Sequence, residues 1–334
     1  MMQQAIGSTL LGSCLMISLA VAANASPQIV TFDYPGASHT EAVSINATGA
    51  VTGIWSDGPV VHGFVRQPDG TMTTFDIPGA DPAFGTRPSS INKNGYITGN
   101  YATLNDRGKD VPHVFVRHPD GTIDTFSVPN NGRYDYPVKI TTNRTILGSY
   151  SQGRYWYGFS KPAHGRATVF QNEFKEIFVS TANDLGYAAG YEPPAGSAFV
   201  WSPDGTFTYF SDNGAATRPL AMNTAGVIAG SVLPPFNATD LGFVRAADGT
   251  MVTFTAGGDN NNTWATAINL GGTIAGYFDD LPERHGFVRA PSGSIAVFDP
   301  EGSSFTEPFC INDRGVIAGT YSDQQGGHGF IRYP

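Results

Sequence analysis

The sequence predicts an all-β protein built by repetition. Three observations carry that expectation: a phenylalanine-centred motif that recurs seven times, a composition rich in turn formers, and a copy of one repeat strand displaced to the N-terminal side of the first repeat. The motif phenylalanines are Phe64, Phe115, Phe159, Phe199, Phe243, Phe287 and Phe330, separated by 51, 44, 40, 44, 44 and 43 residues. Glycine numbers 41 and proline 23 while only 14% of residues are charged, a mixture suited to short strands joined by tight turns. Phe, Tyr, Val and Ile are too plentiful for a disordered chain.

Each repeat reads as four strands. In the first, an inner strand ends at Asn46, a second spans 51–55, a third 62–66 and a fourth 71–77. The Asp69-Gly70 pair between the last two is a hairpin signal. A second phenylalanine closes the fourth strand of each repeat but the last: Phe75, Phe126, Phe170, Phe210, Phe254 and Phe298. The missing partner is Phe32 in "IVTFDYPGA", which nearly copies "TTFDIPGA". Between the phenylalanines recurs "INATGAVTGIW" and its variants, and the copy "TNRTILGSY" reads as shortened by two residues.

Four antiparallel strands at a 40–51 residue period are the signature of a β-propeller blade. The expectation is a single seven-bladed propeller over 26–334, with a β-solenoid as the alternative. Its closure would pair "QIVTFDYP" with "HGFIRYP", so that both chain ends build one sheet and no free edge remains there. Fourteen of the 22 phenylalanines then occupy two equivalent positions and pack the ring. Asn46, Asn92, Asn183, Asn223, Asn269 and Asn312 each precede a glycine by three residues and read as turn residues. Asp69, Asp120, Asp204 and Asp248 read the same way, and Cys310 as a small core filler.

Charge narrows the function classes. With 19 Lys and Arg against 28 Asp and Glu the net charge is −9, which argues against nucleic-acid binding. Residues 1–25 read as a signal peptide, apolar from Ile6 to Ala22 and cut after Ala25, although no Lys or Arg precedes the apolar run. The competing reading, a lipid anchor at Cys14, is disfavoured because the apolar run continues past it. No later run is long enough to span a membrane. The mature chain is therefore expected to be secreted or periplasmic, a monomer, with one thiol and no internal disulfide.

Signatures of phosphate binding, zinc proteolysis, redox dithiols and serine hydrolysis are missing, and no cofactor is expected. One constellation stands out. The loops between second and third strands would share a face with the inter-repeat loops, and that face would carry Asp57, His62, Asp106, His113, Asp279, Asp280, His285, Asp323 and His328. His39, Thr40, Thr86, Thr217, Thr263 and Thr306 would join them from the inter-repeat loops. Carboxylates and imidazoles of this kind can hold a ligand or a metal, or move protons. The bland alternative is that each histidine serves its own blade. The third, fourth and fifth repeats carry Tyr157, Ser197 and Leu241 at the histidine position, so any site would be one-sided. The extended loops at 101–113 and 232–240 are the other places where specificity could be built.

The units "GFVRQPDGTMTTFDIPGA" and "INDRGVIAGTYSDQQGGHGF" resemble the HAF-repeat family of extracellular bacterial proteins. The triplet that names the family stands here as "HGF" at His62, His285 and His328 and as "HVF" at His113. The resemblance implies an exported bacterial protein and carries over no activity and no catalytic residue. Three functions remain in view: a binding module for a carbohydrate, small molecule or protein; a secreted lyase or hydrolase using the His and Asp residues of the loop face; and, last, a purely structural surface or matrix protein.

Overall fold

The inner phenylalanine of every repeat is completely buried, and the reason lies in glycines one strand away. A Cβ on Gly53, in the second strand of the first repeat, would lie 2.9 Å from the Phe64 ring, and one on Gly148 2.9 Å from Phe159. The glycine of "GF" makes room in turn for the outer ring, since a Cβ on Gly63 would meet Phe75 at 2.9 Å. Two glycines thus set the aromatic pair into its sheet in the five repeats that carry "GF"; the second and fourth have Val114 and Ala198 before the inner ring. Burial of each such ring is worth about 1.5–3 kcal/mol.

The computed structural model describes residues 27–128, 134–172, 176–193, 196–234, 239–258 and 261–334. The expected signal peptide and Cys14 lie outside the described residues, as do parts of the loop at 232–240. The described chain is all β, and no helix in it is long and apolar enough to cross a membrane. The first repeat runs through strands His39–Ile45, Val51–Ser56, Val61–Arg66 and Met72–Phe75 in antiparallel order. Four more four-stranded antiparallel sheets span 87–126, 134–170, 178–210 and 216–254. The first-repeat strands and the eight strands that remain together form a twelve-stranded sheet, whose segments are joined by the parallel one-residue contacts His39–Gly327 and Arg284–Phe305. Within it, strand Ile29–Phe32 pairs antiparallel with strand Gly327–Arg332, placing Ile29 opposite Arg332 and Phe32 opposite Gly329. The first and last described strands share one sheet.

The core lies between sheets. Ala50, Val65 and Phe75 of the first repeat pack with Ile97 and Phe115 of the second. Five outer phenylalanines meet the inner one of the following repeat edge to face, as in Phe75–Phe115 at 5.9 Å and Phe254–Phe287 at 5.9 Å. On the other side of the same outer ring sits a cation from the following repeat. Arg66 covers Phe32, Arg117 covers Phe75, Arg245 covers Phe210, Arg289 covers Phe254 and Arg332 covers Phe298, all within 5.1 Å of the centroid. Lys161 does so for Phe126, and Trp201 stacks on Phe170 at 3.9 Å. Such contacts add about 0.5–2 kcal/mol each.

Along the axis the inner strands are tied by the repeated asparagines, whose role exceeds that of local turns. Each Oδ1 accepts the backbone N–H four residues on, as at Ala50, Val227 and Val316. Each Nδ2 donates to the next repeat: Asn46 to the Asn92 carbonyl, Asn92 to Thr141, Asn183 to Asn223, Asn223 to Asn269, Asn269 to Asn312, and Asn312 back to Asn46. The chain of amides runs round the axis with one gap, at the third repeat. That repeat is not shortened, contrary to the sequence reading. Ile140 pairs with Ile146 as Ile45 pairs with Val51, so the turn keeps its length. Thr141 stands in the asparagine's place, its Oγ1 accepting the Thr145 N–H at 2.9 Å, and Arg144 takes the left-handed conformation (φ 66°) that Gly49 takes elsewhere. A hydroxyl is too short to reach the next repeat. The gap is bridged by Thr142 Oγ1 donating to Asp184 Oδ2 and by Lys139 at 3.5 Å from Asp184.

Candidate functional site

The histidines of the loop face do not converge. His62 Nδ1 lies 2.9 Å from Asp76, one residue past the outer phenylalanine, and its ring stacks on Trp55 at 4.2 Å. His285 Nδ1 meets Asp299 at 2.7 Å and His328 Nδ1 meets Asp33 at 2.9 Å, at the equivalent register. His113 meets Ser127 Oγ at 2.8 Å. The second nitrogen also faces its own sheet: His113 Nε2 reaches Thr103 Oγ1 at 2.8 Å, His328 Nε2 reaches Asp323 at 3.1 Å, and His62 Nε2 faces Asp57 at 3.5 Å. Each imidazole is oriented by its own repeat. Burial lowers the His113 pKa. Burial also pulls His328 down, but its bonds to Asp33 and Asp323 outweigh this and leave it raised.

The remaining predicted residues separate in the same way. Asp279 receives Arg284 Nε at 2.8 Å rather than serving His285. Asp280 pairs across its hairpin with Glu283, and Asp106 sits in the exposed turn 105–108. Asp323 caps its turn by accepting the Gln325 N–H at 2.6 Å besides meeting His328, and those bonds hold its carboxyl low. His39 stands 3.5 Å from Glu41. The threonines expected on the loop face are buried instead: Thr40, Thr86 and Thr263 accept the N–H of Tyr34, Ile77 and Ala256, fastening each arriving loop to the inner strand. Thr217 and Thr306 are fully buried as well, so none of the five is a ligand. Asp69 accepts the Thr71 N–H at 2.9 Å and is a turn residue. Cys310 packs against the core around Trp55, with burial pushing its thiol up to about 12. Among the described residues no three His, Cys, Asp or Glu side chains are grouped to hold a metal ion.

A different set does come together across repeats. Five residues before each ring asparagine, the inner strands carry Glu41, Arg87, Tyr136, Phe178, Arg218, Trp264 and Glu307. Five residues of strand separate this level from the asparagine clasp by about 15 Å. In the third and fourth repeats the rings run together: Tyr134 and Tyr136 both approach Trp156 (6.1 and 5.6 Å), Trp156 meets Phe178 at 5.2 Å, and Phe178 meets Tyr191 at 5.4 Å. Tyr136 is 39% exposed. In the sixth and seventh, Arg284 is bonded to both Asp279 and Glu307 and covers Tyr277 at 4.6 Å, and burial pushes Tyr277 up to about 12. The aromatic arc lies between Arg87 and Arg218, and among the described residues neither guanidinium forms an ion pair. Arg87 Nε donates to the Phe84 carbonyl at 2.8 Å.

Beside these rings the repeat pattern breaks a second time. Asp135 holds the position of the loop-fastening threonines, and the Val128 N–H bonds to it. Its side chain is buried, Oδ1 has no hydrogen-bond partner among the described residues, and burial raises its pKa to about 7. At the other end of the axis, a cavity of about 160 Å³ is lined by Asn46, Asn92, Asn223 and Asn312 with Lys139 and Asp184. Its asparagine amides are spent on the clasp.

Sequence reasoning missed the histidine partners and the cross-repeat arc. The first had a signal: "FD" or "FS" follows the outer phenylalanine in all four repeats that carry the histidine, at Asp33, Asp76, Ser127 and Asp299. The arc had none, because its positions hold a different residue in nearly every repeat.

No family model matches the sequence, and no curated protein matches it. Solved structures do match. Virginiamycin B lyase from Staphylococcus aureus is similar at a TM-score of 0.66 and 13% identity, over 92% of this chain and all of that one. A streptogramin B lyase is similar at 0.63 and 12% identity, over 91% and 97%. The β-propeller domain of Cps50 (Swd1) from Myceliophteria thermophila is similar at 0.50 and 12% identity, over 91% and 99%. At such identities the likeness speaks for architecture alone, and with the four-stranded antiparallel sheets it shows that this chain is folded as a β-propeller.

Proposed function

We propose that this protein is an exported, seven-bladed β-propeller of the HAF-repeat kind that works as a binding module, with its ligand at the axial mouth on the loop face. The blade count follows from treating the two one-residue contacts in the twelve-stranded sheet as touches between blades, which divides that sheet into three. The repeats "HGF" and "INDRGVIAGTY" support the family, and the apolar run from Ile6 to Ala22 with a small-residue cleavage site ending at Ala25 supports export.

One observation carries the binding reading. The loop-face histidines His62, His113, His285 and His328 are each tied inside one blade, whereas the side chains that run together across the third and fourth blades are aromatic rings, flanked by the guanidinium groups of Arg87 and Arg218. A set of groups gathered around a reacting atom is what catalysis needs. Rings and fixed charges at the mouth of a rigid scaffold are what recognition needs. The competing reading, a lyase or hydrolase, draws support from two structural neighbours being lyases, one of virginiamycin B and one of streptogramin B. The separation of His62, His113, His285 and His328 weighs against these residues serving such a reaction together.

The test is a thermal-shift screen of glycans, metabolites and divalent metals on the exported chain and on Tyr136→Ala. Ligand stabilisation of the parent that is lost in the variant supports the mouth. Stabilisation that the variant keeps, but that His328→Gln loses, would move the site to the histidines and revive the enzyme reading. Mass spectrometry of the exported protein should find Ser26 as its first residue; an intact N-terminus overturns the export claim.

A further inference from the structure

The axial mouth is not electrically uniform, and its asymmetry points to a ligand class. Of the seven inner-strand positions, the acids lie together at Glu307 and Glu41, with Asp279 and Arg284 beside them. Glu307 is engaged by Arg284, and Glu41 has His39 at 3.5 Å. The opposite arc carries Arg87, then the rings of the third and fourth repeats, then Arg218. Arg218 is exposed and in no ion pair among the described residues; the carboxyl of Asp240 interacts with it electrostatically, but burial disfavours that carboxyl's charge. Two guanidinium groups without carboxylate partners, one at each end of a row of aromatic rings, remain available to an anion.

We propose that this arc binds a carboxylated saccharide, a short uronic-acid oligomer whose sugar rings lie against Tyr136, Trp156 and Phe178 and whose carboxylates are held by Arg87 and Arg218; the inference rests on the binding-module reading. Three features favour this chemistry. First, sugar rings present C–H groups on their faces and hydroxyls at their edges, and tyrosine presents a ring and a hydroxyl in the same way. Second, Arg87 and Arg218 belong to repeats separated by two others, so one carboxylate cannot reach both, and a ligand with an acid on successive units can. Third, a carboxylate carries a single negative charge. A polyphosphate would bring more charge to a protein of net charge −9, whose mouth also holds Glu41 and Glu307.

The experiment titrates the exported chain with tetragalacturonate and tetramannuronate, with the methyl ester of the first, and with tetraglutamate as an acidic peptide of like charge. Binding is read by calorimetry and by tryptophan fluorescence, since Trp156 lies in the arc. One or both uronates should bind, and esterification should weaken binding at least about tenfold. Arg218→Gln and Arg87→Gln should each cost about tenfold with the melting temperature unchanged. Failure of both uronates to bind overturns the proposal, as does an ester that binds equally well. Tighter binding of tetraglutamate would replace it with an acidic peptide. In those last two outcomes the mouth still stands if Tyr136→Ala abolishes the binding that is seen. If bound ligand ignores Tyr136→Ala and both arginine variants, the binding reading at the mouth falls as well.

Discussion

The two ends of the propeller axis are built from the same seven inner strands, five residues apart, yet they follow opposite rules. At the clasp, six repeats supply one residue, asparagine, and nearly every donor and acceptor is spent on the neighbouring repeat. At the mouth, the seven equivalent positions hold two acids, two arginines and three aromatic residues of different kinds. The lesson is a division of labour along each strand. Interactions that close the ring are nearly the same in every blade, and where the asparagine is replaced, at Thr141, other side chains make the join. Positions beyond the clasp are free to differ, and recognition can be written there.

That contrast can be broken or sharpened by substitution. The largest effect is expected where the mouth interrupts the repeat, at Asp135. Its folded pKa of about 7 lies above the ordinary 3.8, so the protonated form is the one favoured in the fold. The sign follows: the contribution of this one group is fullest below about pH 4, falls as pH rises towards 7, and is level above that, for a total of roughly 4 kcal/mol. Asp135→Thr, which restores the residue of five other repeats, should remove this slope and stabilise the protein at pH 8. A slope unchanged in chemical denaturation of the variant would assign it elsewhere.

Next comes the clasp itself. Asn223→Ala removes the amide that reaches Asn269 and the carbonyl that holds Val227, leaving buried partners unpaired. A loss of about 2–4 kcal/mol and a fall of several degrees in melting temperature should follow. Thr141→Asn is the converse, supplying the amide missing from the third repeat, and should gain up to about 1 kcal/mol. If Asn223→Ala were silent, the amide chain would be an ornament of the turns and not a clasp.

His328 gives a smaller effect with a pH signature. It joins Asp33 of the N-terminal strand to the C-terminal strand, and its pKa is raised despite partial burial. Its contribution is therefore present below about pH 6.5 and is lost as pH rises through the higher folded value. His328→Gln should cost under about 1 kcal/mol at pH 5.5 and less at pH 8. The smallest effect on stability is expected at the mouth. Arg218→Gln should change unfolding free energy by less than about 0.5 kcal/mol, since its side chain is exposed and unpaired. A strongly destabilised Arg218→Gln would make the mouth part of the architecture.

Much of the fold was legible because it repeats. The spacing of "GF", the "DG" turns and the displaced "IVTFDYPGA" each state one strand, and seven copies confirm one another. The candidate site was legible only in outline. His62 and its equivalents were found, but Asp76 was passed over because it lies 14 residues on, with only the hairpin register to bring the two together. The third repeat misled because its asparagine, Asn143, stands two places past the usual position, and only the pairing of Ile140 with Ile146 shows the turn to be of ordinary length.

What the sequence determined by itself is the unit: four strands, two phenylalanines set on glycines, and a hairpin turn that Asp69 closes. These depend on neighbours within one repeat, where spacing along the chain fixes spacing in space. Only the tertiary structure decided what crosses from one repeat to the next. Asn46 reaching Asn92, Arg66 covering Phe32, and Tyr136 and Phe178 meeting at Trp156 are set by how the twisted sheets face one another around the axis. No local pattern encodes that angle, so the clasp and the mouth become visible only once the ring is closed.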